Sequence, residues 1–122
     1  MKVGCDVISI ARIEKLLKEQ KDTFLNRVCV EGERDLLKKF SNKKRLAEKL
    51  AGIFSLKEAF SKAVGTGVGE SLSFQQLEVS YSELGQPQMK YLGSLHSFLD
   101  SQIACSVSHE GDLLFSVVII SD

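Results

Sequence analysis

Ile103-Ala104-Cys105-Ser106-Val107-Ser108-His109-Glu110-Gly111-Asp112-Leu113-Leu114-Phe115-Ser116-Val117-Val118-Ile119-Ile120 carries the clearest structural signal in the chain. Ile103, Cys105 and Val107 alternate with Ala104, Ser106 and Ser108, the period of a strand with one buried face. Glu110-Gly111-Asp112 reads as a turn and Leu113 to Ile120 returns as an apolar strand, so the spacing predicts an antiparallel hairpin. Further upstream, Leu77, Val79 and Tyr81 alternate with polar residues, which predicts a half-buried strand over about Gln76 to Ser82. Leu84-Gly85-Gln86-Pro87 is a turn into a short strand around Met89 to Tyr91, and Leu95 to Leu99 fits a helical turn. Lys2 to Ile10, rich in Val and Ile, is a strand at the other end.

Between these strands the period changes to that of helices. Ile13, Leu16 and Leu17 form a stripe over Ala11 to about Lys18, with Arg12, Lys15 and Lys18 beside or opposite it. Glu31 to Phe40 places acids early and lysines late, the order a helix dipole favours. Ser41 or Asn42 can cap a long helix to about Val64, whose broad apolar face carries Leu46, Leu50, Ile53, Phe54 and Phe60, and Gly65 ends it. The expected fold is α+β, an antiparallel sheet packed against a long helix and shorter helices. No linker, repeat or low-complexity tract divides it, so residues 1–122 are read as one domain.

Composition narrows the function. Sixteen basic and sixteen acidic residues cancel, and two Tyr, seven Phe and no Trp leave little for base stacking, which disfavours nucleic acid. The 43% of hydrophobic residues can build a core, yet no apolar run reaches the ~18–20 residues of a membrane span. Cys5, Cys29 and Cys105 form neither a disulfide framework nor a C-x-x-C metal pair, so a cytoplasmic protein is expected.

Some residues admit both a structural and a chemical reading. Asp6 lies in an otherwise apolar strand, where a carboxylate needs a cation, a metal or several N–H donors; a satisfied structural aspartate is the plain alternative. Glu58 and Lys62 are spaced for an ordinary i,i+4 ion pair. On a helix entering a glycine-rich loop, the same pair could instead face a phosphate, with the carboxylate suited to Mg²⁺ and the lysine to anionic oxygens. Gly65-Thr66-Gly67-Val68-Gly69 could bring backbone N–H groups to an anion, although it leaves a helix and is not a Walker loop. His109 at its strand end is either an ordinary polar residue or a ligand contact. Cys105 and His109 are about 13 Å apart along an extended strand, which excludes a nucleophile–base pair.

In order along the chain, Val3-Gly4-Cys5-Asp6-Val7-Ile8 with Ala11-Arg12-Ile13, then Phe54-Ser55-Leu56-Lys57-Glu58-Ala59-Phe60-Ser61-Lys62-Ala63, the Gly65–Gly69 loop, Gly85-Gln86-Pro87 and Val107-Ser108-His109 resemble the motifs of the holo-acyl-carrier-protein synthases. The resemblance implies a 4'-phosphopantetheinyl transferase fold and activity. The phosphopantetheine arm of coenzyme A would pass to a serine of apo-acyl carrier protein, releasing adenosine 3',5'-bisphosphate. It also implies a homotrimer with active sites between subunits. By the motifs, Asp6 and Glu58 would hold Mg²⁺, Lys62 would neutralise phosphate charge, and Gly65, Gly67, Pro87 and His109 would shape the coenzyme pocket. Lys44 and its basic neighbours, Lys38, Lys39, Lys43 and Arg45, are candidates for the coenzyme's 3'-phosphate or for carrier docking. Arg12 matches an arginine that contacts the acidic carrier, with Ile13, Lys15 and Leu16 around it. Two positions depart from the pattern: Ser9, where many relatives are acidic, and Ile53, where relatives often place arginine.

Overall fold

In the computed structural model of the protein, which describes residues 1–94 and 102–121, strand β1 (Lys2–Ser9) leads into helices α1 (Ile10–Val28), α2 (Glu31–Leu37) and α3 (Lys43–Val64). A 3₁₀ turn (Phe74–Gln76) precedes β2 (Leu77–Tyr81) and β3 (Pro87–Tyr91), followed by β4 (Gln102–Glu110) and β5 (Leu113–Ser121). The helical turn expected at Leu95 to Leu99 lies outside the described residues. Every strand pairing is antiparallel, and the 103–120 hairpin forms in the expected place. The strands divide into two sheets, β1-β5-β4 and β2-β3. Where β3 meets β4, Cys105 Sγ donates to Pro87 O at 3.4 Å, and Pro87 has no N–H to offer a ladder.

α3 lies on the inner face of β1 and β5. Ile8, Leu114, Val118 and Ile120 from the strands pack with Leu50, Ile53, Leu56, Ala59 and Phe60 from the helix, all buried. Gly4 sets how closely the two approach. A Cβ at that position would stand 2.0 Å from Ala59 O and 2.5 Å from Ala63 N, so any side chain would push α3 off β1. The helix begins with Arg45 N–H donating to Asn42 Oδ1 at 3.0 Å. It ends at Gly65, whose φ of 93° is the left-handed cap conformation that glycine adopts without strain.

α1 is ten residues longer than its local periodicity predicts. Gln20, at φ −145° and ψ 43°, breaks the helix phase, and the apolar stripe resumes beyond it with the buried Phe24 and Val28. Other parts of the chain satisfy both helix ends. Ser9 Oγ accepts from Arg12 N–H at 3.3 Å and donates to Asp112 Oδ2 at 2.5 Å, while Ala11 N–H donates to Asp112 Oδ1 at 2.8 Å. At the far end Gln75 Nε2 donates to the carbonyls of Asn26, Arg27 and Cys29 at 2.8, 3.3 and 2.9 Å. These bonds meet the unpaired groups that every helix end presents. α2 stops at Leu37, three residues short of the expected Phe40.

A buried ion pair ties the helical layer together. Lys57 Nζ donates to Glu33 Oε1 at 2.6 Å, Val28 O at 2.8 Å and Phe74 O at 3.0 Å. Glu33 also accepts from Val30 N–H at 2.9 Å and Val79 N–H at 2.6 Å. Both side chains are 0% exposed, and the charges and hydrogen bonds are matched on every side. The motif reading passed over Lys57. Its place on the buried stripe, four residues after Ile53 and three after Phe54, was the available signal.

Candidate active site

Three of the expected site residues meet where α3 crosses β1. Gly4 brings the helix close enough for Lys62 Nζ to donate to Asp6 Oδ1 at 3.1 Å, while Ser55 Oγ donates to Asp6 Oδ2 at 2.8 Å. Ser55 has given its one hydrogen to the carboxylate, so Ser116 Oγ, 2.7 Å away, is the donor in the next bond of the relay. Asp6 is thus held from β5 through α3. Its partners Ser55 and Ser116 were not anticipated, because nothing local in the sequence links positions 6, 55 and 116.

Glu58 completes the acidic pair. Burial raises its pKa and the nearby Asp6 charge raises it further, while Lys62, Arg12 and Arg27 pull it down. Two carboxylates close enough to raise one another's cost of charge could hold a divalent cation, which would relieve their repulsion. Among the described residues, no three His, Cys, Asp or Glu side chains gather as a metal cluster. Two carboxylates alone could supply part of a Mg²⁺ shell, with water or phosphate oxygens in the other positions. Arg27 lies on the part of α1 beyond Lys18, where the local periodicity of the sequence ends the helix.

His109 and Pro87 line a separate groove of about 400 Å³ with Phe40, Arg45, Lys49 and Tyr81. Asp6 sits on β1 and His109 on β4, with β5 between them, and α3 covers β1 and β5. The acidic pair therefore lies towards β1 and the His109 groove towards β4, on different faces of α3. Lys44 is not on the groove wall; it acts on the Asp112 carboxylate instead, and Arg45 and Lys49 are the basic residues of α3 that face the groove.

Several expectations change at this level. Ile13 is 0% exposed and belongs to the core, so it is not a partner contact; the apolar stripe that suggested docking is the packing stripe of α1. Leu16 packs partly against the same core, whereas Arg12 and Lys15 remain exposed. The glycine loop does not present its glycine N–H groups to an anion. Gly65 and Gly67 N–H both donate to Ser61 O, at 2.9 and 3.3 Å, and Gly69 N–H donates to Leu72 O at 2.8 Å. Ser9 is engaged as the cap of α1, bonded to Arg12 N–H and to Asp112. Ile53 is wholly buried.

Residues 2–118 match the model of the 4'-phosphopantetheinyl transferase superfamily. The chain is 43% identical over 118 residues to a holo-[acyl-carrier-protein] synthase of Limosilactobacillus fermentum, covering 97% of this chain and 93% of the relative. It is similar in structure to a holo-(acyl-carrier-protein) synthase from Bacillus anthracis solved with coenzyme A (3',5'-ADP), at a TM-score of 0.85 and 36% identity over 99% and 96% of the two chains. It is similar also to the Helicobacter pylori holo-[acyl-carrier-protein] synthase in complex with coenzyme A, at a TM-score of 0.84 and 35% identity over 98% and 99%.

Proposed function

The chain belongs to the 4'-phosphopantetheinyl transferase superfamily, and we propose from that premise that it transfers the phosphopantetheine group of coenzyme A to a serine of apo-acyl carrier protein. The observation that carries the reading is the Asp6–Glu58 pair with Lys62 on the same helix. In the reaction the serine oxygen attacks the phosphorus bearing the pantetheine arm. The bond to the bridging oxygen breaks, and adenosine 3',5'-bisphosphate leaves. Asp6 and Glu58 would hold Mg²⁺, which when bound supplies positive charge to the diphosphate oxygens. Lys62 neutralises charge that grows on the leaving phosphate. The serine must also lose its proton, and either Glu58 or a water on the metal would serve as its base.

The second half of the site is the groove of Arg45, Pro87 and His109, which we assign to the adenosine end of the coenzyme. The two halves lie on different faces of α3, one towards β1 and one towards β4, which suits active sites shared between copies of the chain. The outer face of β1 and β5 supports association: Val3, Val7, Leu113, Phe115 and Ile119 are 65, 57, 56, 43 and 37% exposed, and the register places them side by side. An apolar sheet face of this kind marks an interaction surface. The assembly proposed is the homotrimer that the family resemblance implies. Carrier docking is assigned to the exposed Arg12 and Lys15, and Lys15 continues with Lys18, Lys21 and Lys43 around a groove of about 860 Å³ between α1 and the start of α3, whose wall Glu14 and Glu19 share. No helix among the described residues is long and apolar enough to cross a membrane, and the three free cysteines favour the cytoplasm.

The test is to incubate the protein with coenzyme A, Mg²⁺ and an apo-acyl carrier protein and to weigh the carrier by mass spectrometry. The expected result is a phosphopantetheine mass gain that EDTA abolishes and added Mg²⁺ restores. No gain across several carriers overturns the reading.

A further inference from the structure

Asp6 and Ser116 are partners across the β1–β5 register, so their side chains share the inner face of the sheet. Their neighbours on that face are Gly4 and Ile8 on β1 and Leu114 and Val118 on β5, which leaves a polar spot in an apolar surface. α3 adds Ser55 to it, and Ser55 and Ser116 are both 0% exposed. Alanine would fill either position at nearly the same size, without the cost of burying a hydroxyl. Both hydroxyls instead run in series to one atom: Ser116 donates to Ser55 at 2.7 Å, and Ser55 donates to Asp6 Oδ2 at 2.8 Å. The other carboxylate oxygen is placed differently. Oδ1 accepts from Lys62 at 3.1 Å, and that side chain is half exposed, able to swing away into solvent.

Resting on the reading of Asp6 and Glu58 as holders of Mg²⁺ in the transferase, we infer that Ser55 and Ser116 are positioning residues that restrict Asp6 to one-oxygen coordination and thereby favour Mg²⁺ over Ca²⁺. With Oδ2 tied into the interior, the carboxylate keeps one orientation and presents Oδ1 on the Lys62 side. Mg²⁺ is small and demands near-octahedral geometry, which the narrow bite of a two-oxygen carboxylate distorts. Ca²⁺ accepts a larger and looser shell, including both oxygens of one carboxylate. A hydrogen bond that occupies the second oxygen therefore costs Ca²⁺ a ligand and costs Mg²⁺ nothing. Outer bonds of this kind also fix the direction of the ligating group, on which metal affinity depends.

The experiment counts bound Mn²⁺ by electron paramagnetic resonance, with Mg²⁺ or Ca²⁺ as competitor, on the native protein, Ser55→Ala, Ser116→Ala and Ser61→Ala. Each titration is run with and without coenzyme A and needs no turnover. Ser61 is the control: it too is buried on α3, but its hydroxyl donates to a backbone carbonyl, Glu58 O, at 2.6 Å. Ser55→Ala should weaken Mg²⁺ binding about tenfold or more, the cost of losing a partner of a metal ligand, and Ca²⁺ binding far less. Ser116→Ala should move the same ratio in the same direction by less, because Ser55 keeps its bond to Asp6. Ser61→Ala should leave the ratio unchanged. Equal losses of both cations in Ser55→Ala, an unchanged ratio, or a like shift in Ser61→Ala overturn the assignment. Native protein that binds no Mn²⁺ overturns it together with the metal reading. Native protein that binds Mn²⁺ but transfers nothing to any carrier counts against the transferase reading alone, and the cation ratio still decides the role of the serines.

Discussion

Two lysines on α3, five positions apart, meet carboxylates in opposite ways. Lys57 and Glu33 are both wholly buried, and every charge and hydrogen bond they possess is matched within the fold. Lys62 is 54% exposed and Asp6 13%, their contact is longer at 3.1 Å, and a second carboxylate, Glu58, stands beside them with its pKa raised. The buried pair has no capacity left for a ligand. The open pair keeps unmatched negative charge and a cation that can turn toward phosphate. On one helix, the complete pair suits a structural role and the incomplete one suits the proposed chemistry.

The largest effect expected is on the buried pair. Lys57→Met leaves Glu33 charged and unpaired in the interior, which should lower stability by about 3–5 kcal/mol in chemical denaturation. Adding Glu33→Leu removes the stranded charge but also strips partners from Val30 and Val79 N–H. The double variant should therefore stay roughly 2 kcal/mol below the native protein. A double variant of native stability would show that the network is dispensable and would break the contrast.

Next is the open site. Glu58→Gln keeps the shape and removes the charge, so transfer measured by carrier mass should fall by about 10²–10³-fold with the unfolding midpoint unchanged. Near-normal transfer would show that Glu58 is as ornamental as its i,i+4 spacing allows.

The smallest effect sharpens the same contrast. Lys62→Met should change stability by less than about 1 kcal/mol, because a half-exposed pair is screened by water. A loss approaching that of Lys57→Met would mean the two pairs do not differ in kind.

Much of this architecture was legible without a structure. The alternation of Ile103, Cys105 and Val107 and the apolar run to Ile120 placed the hairpin. Ser41 or Asn42 at one end and Gly65 at the other bounded α3 by capping chemistry, and the four-residue step from Glu58 to Lys62 put both on one helical face. These signals are local: a strand or helix writes its period, and a cap writes its residue type, within a few positions. The tertiary structure decided what local pattern leaves open. An apolar stripe does not say what covers it, so Ile13 became core and not a docking contact. A glycine loop does not say where its N–H groups turn, and Gly65 and Gly67 turned back to Ser61. The partners that define Asp6 and the caps of α1 come from far along the chain. Ser55 is 49 residues from Asp6, and Asp112 is 103 from Ser9. Contacts at that separation leave no periodic trace, because packing fixes them only when α3 settles on the sheet.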